Sequence, residues 1–513
     1  MSSTRAVRFL LWMLLPLVLT ASAAQEGTRE GTLSRRHLVI VLDGLRPDYV
    51  TPDVMPTLTA LGRRGVVFTR HHSVYPTVTR VNASSIATGS YPDTHGLMGN
   101  TVFFPKVDAT KFFDTADFTN LQRIATSEGG RLLTTPTLAE LLQSAGRRLL
   151  VVSSGSSGSA FLNNPTVAGG AILHPQFTLP ASLSDAMKAL GPAPTEKSAP
   201  SGIDHYAVDA LLKVGLPQVQ PTVTVLWLSD LDTAAHDNGV GAPATVAVLR
   251  RVDGEIKRIE DGLRAANLFD SYDIWVTSDH GFSTYTGAPD LAAVLKPFAR
   301  AMPDGSPRII SGSGAIYVRD GDQATVTAIV KALQKTPGVG AIFTRASKSG
   351  SLDGEVPGTL SFDAIHWQHD RAAQILISPD WTDNAGPFGL RGTSASNGTA
   401  GHGSSSPWDI HNTLIAAGPD LKSGVTINTP SANVDFAPTF LKLLSLPIPP
   451  SMQGRPLEDA FVAGQLVPAS AVREMAHTAT TGDEQYAVTG NFVTVNVGGR
   501  EYRYFDGTHV VRK

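Results

Sequence analysis

Acidic and histidine side chains follow three apolar segments of this sequence, and their chemistry is that of a metal site. They are Asp43 after residues 38–42, Asp232 and His236 after residues 223–228, and Asp279 and His280 after residues 273–277. One acid after a strand is commonly a turn residue. Three such positions, two of them with an imidazole nearby, predict a metal site instead. Mixed imidazole and carboxylate ligands suit Zn²⁺ better than Ca²⁺ or Mg²⁺, although manganese and iron would also fit.

Strands of a parallel sheet are the elements that would bring these side chains together. The three apolar segments are rich in β-branched residues, which is typical of strands buried on both faces. Helical patterns alternate with them, so we predict an α/β fold with a doubly wound, mostly parallel sheet. The carboxyl ends of such strands meet at one edge, where open α/β folds keep their sites. A helical turn at 232–236 would place Asp232 and His236 on one face.

A hydroxyl-rich turn at residues 75–82 leads into a helix of small residues at 83–88 and offers two candidate nucleophiles, Thr77 and Thr79. Backbone N–H groups and the positive dipole end of that helix would favour an anion there. The alternative role for either threonine is to cap the helix. A threonine hydroxyl becomes a useful nucleophile when a metal ion favours its alkoxide.

Composition excludes several functional classes. Charged residues make up 17% of the 513 residues, which suits a sizeable buried core. The formal net charge of −3 does not indicate the excess of basic residues that is typical of nucleic-acid-binding proteins. The chain has no cysteine, which excludes disulfides, thiolate metal ligands and a sulfatase nucleophile made from cysteine.

The first 23 residues have the pattern of a secretory signal peptide. Arg5 and Arg8 precede the apolar run at 9–20, and Ala21-Ser22-Ala23 is a small-x-small cleavage site. An uncleaved membrane anchor is the alternative, but the run is short for a bilayer span. We therefore expect a secreted or periplasmic protein with no membrane attachment after cleavage and a mobile leader at 24–36.

Changes in composition divide the rest of the chain. Residues 37–282 and 401–470 are predicted to form the catalytic core. Residues 283–400 are predicted to be a small inserted α+β cap over the strand ends, which returns to the core through a Gly/Ser/Thr/Asn loop. Residues 471–513 are predicted to be a C-terminal β extension. Within it, residues 485–511 alternate apolar and polar positions between Asn/Gly turns, which predicts a hairpin or a small meander.

Seven short segments match one family in order and spacing. They are 41–44 (VLDG), 75–79 (YPTVT), 88–96 (TGSYPDTHG), 232–236 (DTAAH), 251–254 (RVDG), 278–281 (SDHG) and 401–403 (GHG). With these segments the chain resembles the type I phosphodiesterase/nucleotide pyrophosphatase family of the alkaline phosphatase superfamily. The resemblance implies an alkaline phosphatase-like core and an enzyme that hydrolyses phosphoric diester or pyrophosphate-like bonds.

The resemblance also implies two zinc ions and assigns their ligands. One ion would be held by Asp43, Thr79, Asp279 and His280, and the other by Asp232, His236 and His402. Thr79 would be the nucleophile and would carry a phospho-threonine intermediate, and Asn100 would donate to a phosphate oxygen. The other eleven of the 14 histidines have no acidic partner at comparable spacing and are interpreted as surface or core residues.

Two departures from the family bear on the substrate. Nucleotide-hydrolysing members carry an aromatic residue after the nucleophile, whereas this chain has Arg80. Monoesterase relatives place Lys and Arg two residues apart after the strand that corresponds to 149–153, whereas this chain has Ser156 and Gly158. A dianionic monoester would lack these counter-charges, which favours a diester monoanion unless Arg80 binds the substrate in their place.

Three functional hypotheses are open at this point. The first is a secreted, metal-dependent phosphoric diester hydrolase that acts on a small phosphate ester. The second is a phosphomonoester or phosphonate hydrolase that uses the same site. The third is a non-catalytic binding protein that keeps the fold. The complete set of six Asp and His ligands together with Thr79 argues against the third, because drift would be expected to remove some of them.

Overall fold

The computed structural model describes residues 35–195 and 202–513. Its strands, in chain order, are β1 (Arg36–Leu42), β2 (Val66–His72), β3 (Thr101–Val102), β4 (Phe113–Asp114), β5 (Leu149–Ser153), β6 (Ala171–His174), β7 (Phe177–Leu179), β8 (Val223–Leu228), β9 (Tyr272–Thr277), β10 (Ser283–Tyr285), β11 (Ile309–Gly312), β12 (Ala315–Val318), β13 (Val339–Thr344), β14 (Leu360–Ser361), β15 (Ile375–Pro379), β16 (Trp381–Ala385), β17 (Arg391–Ser394), β18 (Ala400–Gly401), β19 (His411–Ala417), β20 (Val425–Ile427), β21 (Ser431–Ala432), β22 (Val472–Thr480), β23 (Tyr486–Val497) and β24 (Arg500–Arg512).

The α-helices are α1 (Pro56–Arg64), α2 (Thr79–Thr88), α3 (Pro92–His95), α4 (Phe118–Ser127), α5 (Leu138–Ser144), α6 (Ser157–Leu162), α7 (Ser184–Lys188), α8 (Ile203–Asp209), α9 (Leu216–Val219), α10 (Asp230–Asn238), α11 (Pro243–Ala265), α12 (Leu291–Leu295), α13 (Gln323–Gln334), α14 (Pro407–Ile410) and α15 (Phe436–Leu443). Several begin at local sequence signals. Thr137 and Glu140 form a capping box at the start of α5, and the Asp322 side chain caps α13.

The largest sheet has the strand order β20-β2-β19-β9-β1-β8-β5-β6-β7, and β21 also pairs with β2. Most neighbouring strands are parallel, whereas β19 runs antiparallel to both of its neighbours and β7 runs antiparallel to β6. Val39 and Val41 pack with α2 and α15 on one face, and Leu38 and Ile40 pack with α1 and α11 on the other. The predicted doubly wound, mostly parallel α/β sheet is confirmed.

Strand β1 lies between β9 and β8, and the register brings the ends of these three strands level. Leu42, the last residue of β1, pairs with Leu228, the last residue of β8. Val41 pairs with Thr277, the last residue of β9. Because the three strands are parallel, the segments that follow them all leave from the same edge of the sheet.

Two smaller sheets lie in the chain between β9 and β19. One has the strand order β11-β12-β15-β13-β14, and its apolar residues pack with α13. The other has the order β16-β17-β10-β18 and returns the chain to the core at Gly401. These sheets occupy the segment predicted to be the cap at 283–400, and the limits of that cap and of the core as separate domains stay predictions.

The last three strands form an antiparallel meander in the order β22-β23-β24, as the alternating pattern at 485–511 predicts. This sheet packs in two directions. Val493 and Val495 join a cluster with Val81 of the core, and Tyr486 and Val488 join the cluster of the five-stranded sheet. The C-terminal sheet therefore contacts both the core and the inserted segment.

The predicted signal peptide at 1–23 and residues 24–34 of the predicted leader lie outside the described residues. Arg36, which the prediction assigned to the leader, begins β1 because it pairs with Tyr272 of β9. Within residues 35–195 and 202–513, no helix combines the length and the apolar composition needed to cross a bilayer.

Candidate metal centre

Five of the six predicted Asp and His ligands lie on segments that leave the same edge of the central sheet, and the sixth, His402, follows a strand of the four-stranded sheet. Asp43 directly follows β1, and Asp279 and His280 follow β9. Asp232 and His236 lie one helical turn apart on α10, so the expected helical turn is present. His402 directly follows β18. The structure thus brings six side chains from four segments of the chain into two neighbouring groups.

The first group consists of Asp43, Asp279 and His280, and all three residues are buried. His280 Nε2 lies 3.4 Å from Asp43 Oδ1 and 3.2 Å from Asp279 Oδ2. Thr79 Oγ1 lies 3.4 Å from the same nitrogen. The Thr79 hydroxyl therefore lies next to the imidazole nitrogen that both carboxylates approach.

The second group consists of Asp232, His236 and His402. Asp232 Oδ1 lies 3.4 Å from His236 Nε2 and 3.6 Å from His402 Nε2. The His402 ring stacks on the His280 ring of the first group, with the ring centroids 3.4 Å apart. Because of this stacking, the two groups are adjacent and form one continuous centre.

Backbone carbonyls fix the tautomer of all three histidines. The Nδ1 atoms lie 2.9 Å from Gly281 O in His280, 2.9 Å from Ala400 O in His236 and 2.8 Å from Thr77 O in His402. A carbonyl oxygen only accepts hydrogen bonds, so each Nδ1 carries the proton and each Nε2 presents a lone pair in the neutral ring. Metal-binding histidines in proteins are oriented in this way.

Three carboxylate oxygens in the centre have no hydrogen-bond donor within the described part of the chain. They are Asp43 Oδ1, Asp232 Oδ1 and Asp279 Oδ2, and all are buried. The other oxygens of two of these groups are used, because Trp227 Nε1 donates to Asp43 Oδ2 at 2.8 Å and Gly44 N donates to Asp279 Oδ1 at 3.2 Å. The donor-free oxygens face imidazole lone pairs, so a cation between them satisfies both.

The spacing of these atoms fits shared ions. Two ligands that each lie 2.0–2.1 Å from a tetrahedral Zn²⁺ are about 3.3 Å apart. The nitrogen–oxygen distances in the centre are 3.2–3.6 Å. Two other groups of histidine and aspartate have shorter distances, 2.7–2.8 Å in His72, His411 and Asp506 and 3.0 Å between His37 and Asp273. The distances in the Asp506 group are those of direct hydrogen bonds.

The interpretation that the remaining histidines have no acidic partners is therefore wrong for several of them. His72 and His411 share Asp506, which lies 434 and 95 positions away along the chain. No local pattern in the sequence signals contacts across such distances, because strand pairing far apart in the chain creates them.

Burial and mutual repulsion set the electrostatics of the centre. Burial, and then the charges of Asp279 and Asp232, raises the pKa of Asp43 well above its usual value. Burial also raises the pKa of Asp279. Burial and the nearby His280 lower the pKa of His402 well below its usual value, which keeps this imidazole neutral and able to bind a metal. Without a cation the first group holds more negative charge than its surroundings stabilise.

The two candidate threonines have different surroundings. Thr79 is the first residue of α2, and its hydroxyl does not cap the helix, whose N-cap is Val78. The Thr77 hydroxyl donates to Ser404 O at 2.9 Å and accepts from Gly403 N at 3.1 Å. Thr77 therefore holds the loop that carries His402, and Thr79 is the threonine whose hydroxyl faces the centre.

The two candidate substrate-binding residues lie beside α2. The Asn100 oxygen accepts a hydrogen bond from Arg80 N at 3.0 Å, so only the NH₂ group of its amide is left to donate to a substrate. Arg80 Nη2 lies 3.7 Å from Asp114 Oδ1, and Arg80 Nε is buried without a hydrogen-bond partner among the described residues.

The segment that follows β5 carries no charge toward the centre. The Ser156 side chain caps α6 by accepting a hydrogen bond from Ser159 N. A Cβ atom on Gly158 would lie 1.8 Å from Thr115 O, so this position has no room for any side chain. The packing of α6 therefore excludes a basic side chain at position 158, where the monoesterase pattern requires one.

A cavity of about 440 Å³ opens beside the metal centre. His236, His402 and Asn100 form its inner end, and its walls include Met98, Tyr317, Trp367, Leu376, Ile377 and Pro379. The Tyr317 hydroxyl donates to Arg371 O and the Trp367 indole N–H donates to Met98 O, so both rings turn apolar surface to the cavity. Among the described residues, no Lys, Arg, Asp or Glu lines it.

Comparisons with known proteins show what this chain is similar to. The family model described as type I phosphodiesterase/nucleotide pyrophosphatase matches residues 37–383. Human ectonucleotide pyrophosphatase/phosphodiesterase family member 1 is 25% identical over 247 residues, which cover 48% of this chain and 23% of the relative. The chain therefore spans about a quarter of the length of that relative. Bovine bis(5'-adenosyl)-triphosphatase ENPP4 is 24% identical over 459 residues, 85% of this chain and 84% of the relative.

Solved structures show the same fold. Murine ectonucleotide pyrophosphatase/phosphodiesterase 5 superimposes with a TM-score of 0.59 at 19% identity, and the match covers 83% of this chain and 100% of the murine one. An inactive variant of the murine protein, solved in complex with AMP, gives the same TM-score at 18% identity. His402 lies beyond the matched residues 37–383, so the family model alone does not include the complete second group.

We predict that the chain binds about two Zn²⁺ ions and that His402→Ala lowers this to about one, because Asp232 and His236 alone leave the second ion short of ligands. Metal analysis after gel filtration in metal-free buffer measures the content. The matched control is His509→Ala, which removes an exposed histidine outside the centre and should leave the content unchanged. An unchanged metal content in His402→Ala would contradict the assignment of this ligand.

Proposed function

The chain belongs to the type I phosphodiesterase/nucleotide pyrophosphatase family, as the sequence motifs predict, and we propose that it is a metal-dependent hydrolase of small phosphoric diesters. The observation that carries the proposal is the convergence of three donor-free carboxylate oxygens, three imidazole Nε2 atoms and the Thr79 hydroxyl on one edge of the sheet. A threonine beside a dense set of nitrogen and oxygen ligands has the composition of a phosphoryl-transfer site.

Asp43, Asp279, His280 and Thr79 would hold one ion, and Asp232, His236 and His402 would hold the other. Zinc suits the mixed imidazole and carboxylate donors, and other divalent transition metals could replace it. Bound there, the ions would supply Lewis acidity to the phosphate oxygens and lower the pKa of a bound hydroxyl. The chain's contribution is to hold the ligands in place and to exclude competing hydrogen-bond donors.

In the proposed reaction the Thr79 oxygen attacks phosphorus and the phosphorus–oxygen bond to the alcohol breaks. The phospho-threonine that results is then hydrolysed by water, which restores the Thr79 hydroxyl. The Asn100 NH₂ group donates to a non-bridging phosphate oxygen. Because Thr79 is the first residue of the ten-residue helix α2, the dipole of that helix favours the negative charge at this point.

The relatives' names support the proposed bond type. They include ectonucleotide pyrophosphatases/phosphodiesterases, venom phosphodiesterases and a bis(5'-adenosyl)-triphosphatase. "Ectonucleotide" and "venom" are also consistent with the proposal that this chain is exported, to the periplasm or the exterior, after removal of the predicted signal peptide at 1–23. The proposal needs no nucleic-acid or membrane partner.

Charge favours a diester over other phosphate compounds. A monoester at neutral pH carries nearly two negative charges, and the segment after β5 offers neither cation that monoesterase relatives use. A pyrophosphate substrate carries further charged phosphates, and the described lining of the cavity beside the centre has no basic residue to pair with them. One uncharged, largely apolar ester group fits this cavity best.

The second candidate function is hydrolysis of phosphomonoesters or phosphonates at the same centre. Arg80 is the observation that favours it, because its guanidinium is mostly buried beside the nucleophile and lacks a full set of acceptors among the described residues. A non-catalytic binding role is the least supported, because it gives no reason for a complete ligand set around a threonine hydroxyl.

We predict that Thr79→Ala lowers kcat on an aryl phosphate diester by about a thousandfold or more, because the attacking hydroxyl is lost. Its metal content should stay close to that of the wild type, since the carboxylate and imidazole ligands remain. Thr79→Ser is the matched control, because it keeps the hydroxyl and should keep measurable activity. Wild-type turnover in Thr79→Ala would rule out the proposed nucleophile.

We also predict that kcat/KM is at least about tenfold higher for bis(p-nitrophenyl) phosphate than for p-nitrophenyl phosphate, because one charge-assisted contact to the extra charge is missing. Steady-state rates of the wild type and of Arg80→Ala measure this preference. Arg80→Ala should leave the preference for the diester in place. A monoester preference in the wild type that disappears in Arg80→Ala would favour the second candidate function and assign the missing cation to Arg80.

A further inference from the structure

The C-terminal strand β24 contacts the loop that carries His402. Three consecutive residues of the strand, Asp506, Gly507 and Thr508, lie against residues 405–411, which follow His402 in the chain. These contacts join parts of the chain that are about one hundred residues apart. The strand belongs to the C-terminal sheet, for which neither the sequence nor the family match indicates a role.

Asp506 joins β24 to two strands of the central sheet. Its Oδ1 atom lies 2.8 Å from His72 Nε2 at the end of β2 and 2.7 Å from His411 Nε2 at the start of β19. His72 and His411 are register partners in the β2–β19 pair, so one carboxylate bridges both strands. The His72 ring is buried, and its Nδ1 is held at 2.9 Å by Ser431 O.

Thr508 holds the loop closer to His402. Its backbone N–H donates to Ser405 O at 3.1 Å, and its buried hydroxyl lies 2.6 Å from Ser405 Oγ. Ser405 is in turn held from the other side, because its N–H donates to Ser378 Oγ at 2.8 Å. Between the two contacts, Gly507 approaches Pro407 so closely that an added Cβ would lie 3.1 Å from its ring.

The contacts at Ser405 continue to the metal ligand through a short segment. Thr77 binds both Gly403 N and Ser404 O with its hydroxyl and accepts from His402 Nδ1 with its carbonyl. The loop is therefore fixed on one side by Thr77 and on the other by β24. His402 lies three residues before Ser405, so a change in the contacts of Ser405 can reach the position of the His402 Nε2 atom beside Asp232.

We propose that Asp506 and Thr508 are positioning residues for His402, so that the C-terminal sheet is needed more for the second ion than for the first. The inference rests on the proposed two-ion centre. Neither residue touches the centre itself. Asp506 acts through His411 and Thr508 acts through Ser405. The first group is carried by β1, β9 and α2, which the C-terminal sheet reaches less directly, through the packing of Val81 and the pairing of β19 with β9.

Thr508→Val is the sharpest variant, because it removes the hydroxyl and keeps the size, the β-branch and the backbone N–H. Asp506→Asn is the second variant and removes the charge that joins His72 and His411. Thr508→Ser restores the hydroxyl and should restore the wild-type behaviour. Thr489→Val is the matched control in the same sheet, since that hydroxyl bonds to the exposed Thr478 side chain, away from the loop of His402.

The measurement is a Zn²⁺ titration of the metal-free full chain by competition with a chromogenic chelator, with His402→Ala as the reference for loss of the second site. We expect Thr508→Val and Asp506→Asn to lower the affinity for the more weakly bound ion by about 10- to 100-fold, which is the usual effect of removing a residue that orients a metal ligand. The affinity for the more tightly bound ion should fall by less than about threefold. Activity of both variants should recover when Zn²⁺ is raised, which a general loss of folding would not allow.

Affinities for both ions within about twofold of the wild type in both variants would overturn the inference, and so would an equal loss at both sites. If Thr508→Val fails to fold, the zinc affinities of Asp506→Asn are compared with those of Thr508→Ser, and the same limits on the loss at each site apply. A wild-type chain that binds fewer than two ions would contradict the proposed function as well. Failure of the inference alone leaves a two-ion wild type whose variants bind zinc normally.

Discussion

Negative charge buried at the carboxyl edge of the central sheet is the constraint on which the rest of the structure depends. Asp43 and Asp279 leave adjacent strands, and the charges of Asp279 and Asp232 add to burial in raising the pKa of Asp43. Such a cluster is costly in a low-dielectric interior unless cations and hydrogen bonds offset it. Trp227 and a backbone N–H supply hydrogen bonds to two of the oxygens. Three oriented imidazoles join the carboxylates in two groups that could hold the cations.

The candidate ligands and the walls of the neighbouring cavity come from different elements of the fold. The parallel strands β1, β8 and β9 end at the same level, so the candidate ligands that follow them lie close together although they are far apart in the sequence. The inserted segment supplies most of the apolar walls of the neighbouring cavity, whose described lining has no fixed charge apart from what the two histidines carry. Under the proposed function, chemistry and substrate choice would therefore lie on different parts of the chain.

Much of the centre could be predicted from local sequence because most of the ligands follow a buried strand directly or lie on the helix that begins just after one. Asp43, Asp279 and the pair on α10 have this property, and the fold class follows from the same alternation of strands and helices. His402 has no such signal, and only the resemblance to the family pointed to it. The partners that orient these side chains could not be predicted, because Trp227 and Thr77 reach them through tertiary packing that leaves no spacing pattern in the chain.

The central claim is that one edge of the sheet holds two ions in two adjacent ligand sets. The most direct measurement is anomalous diffraction from crystals grown with Zn²⁺, with data collected on both sides of the zinc absorption edge. The account predicts two anomalous peaks about 4 Å apart, one among Asp43, Asp279 and His280 and one among Asp232, His236 and His402. A single peak, or zinc bound at Asp506 or Asp273 instead of this edge, would contradict it.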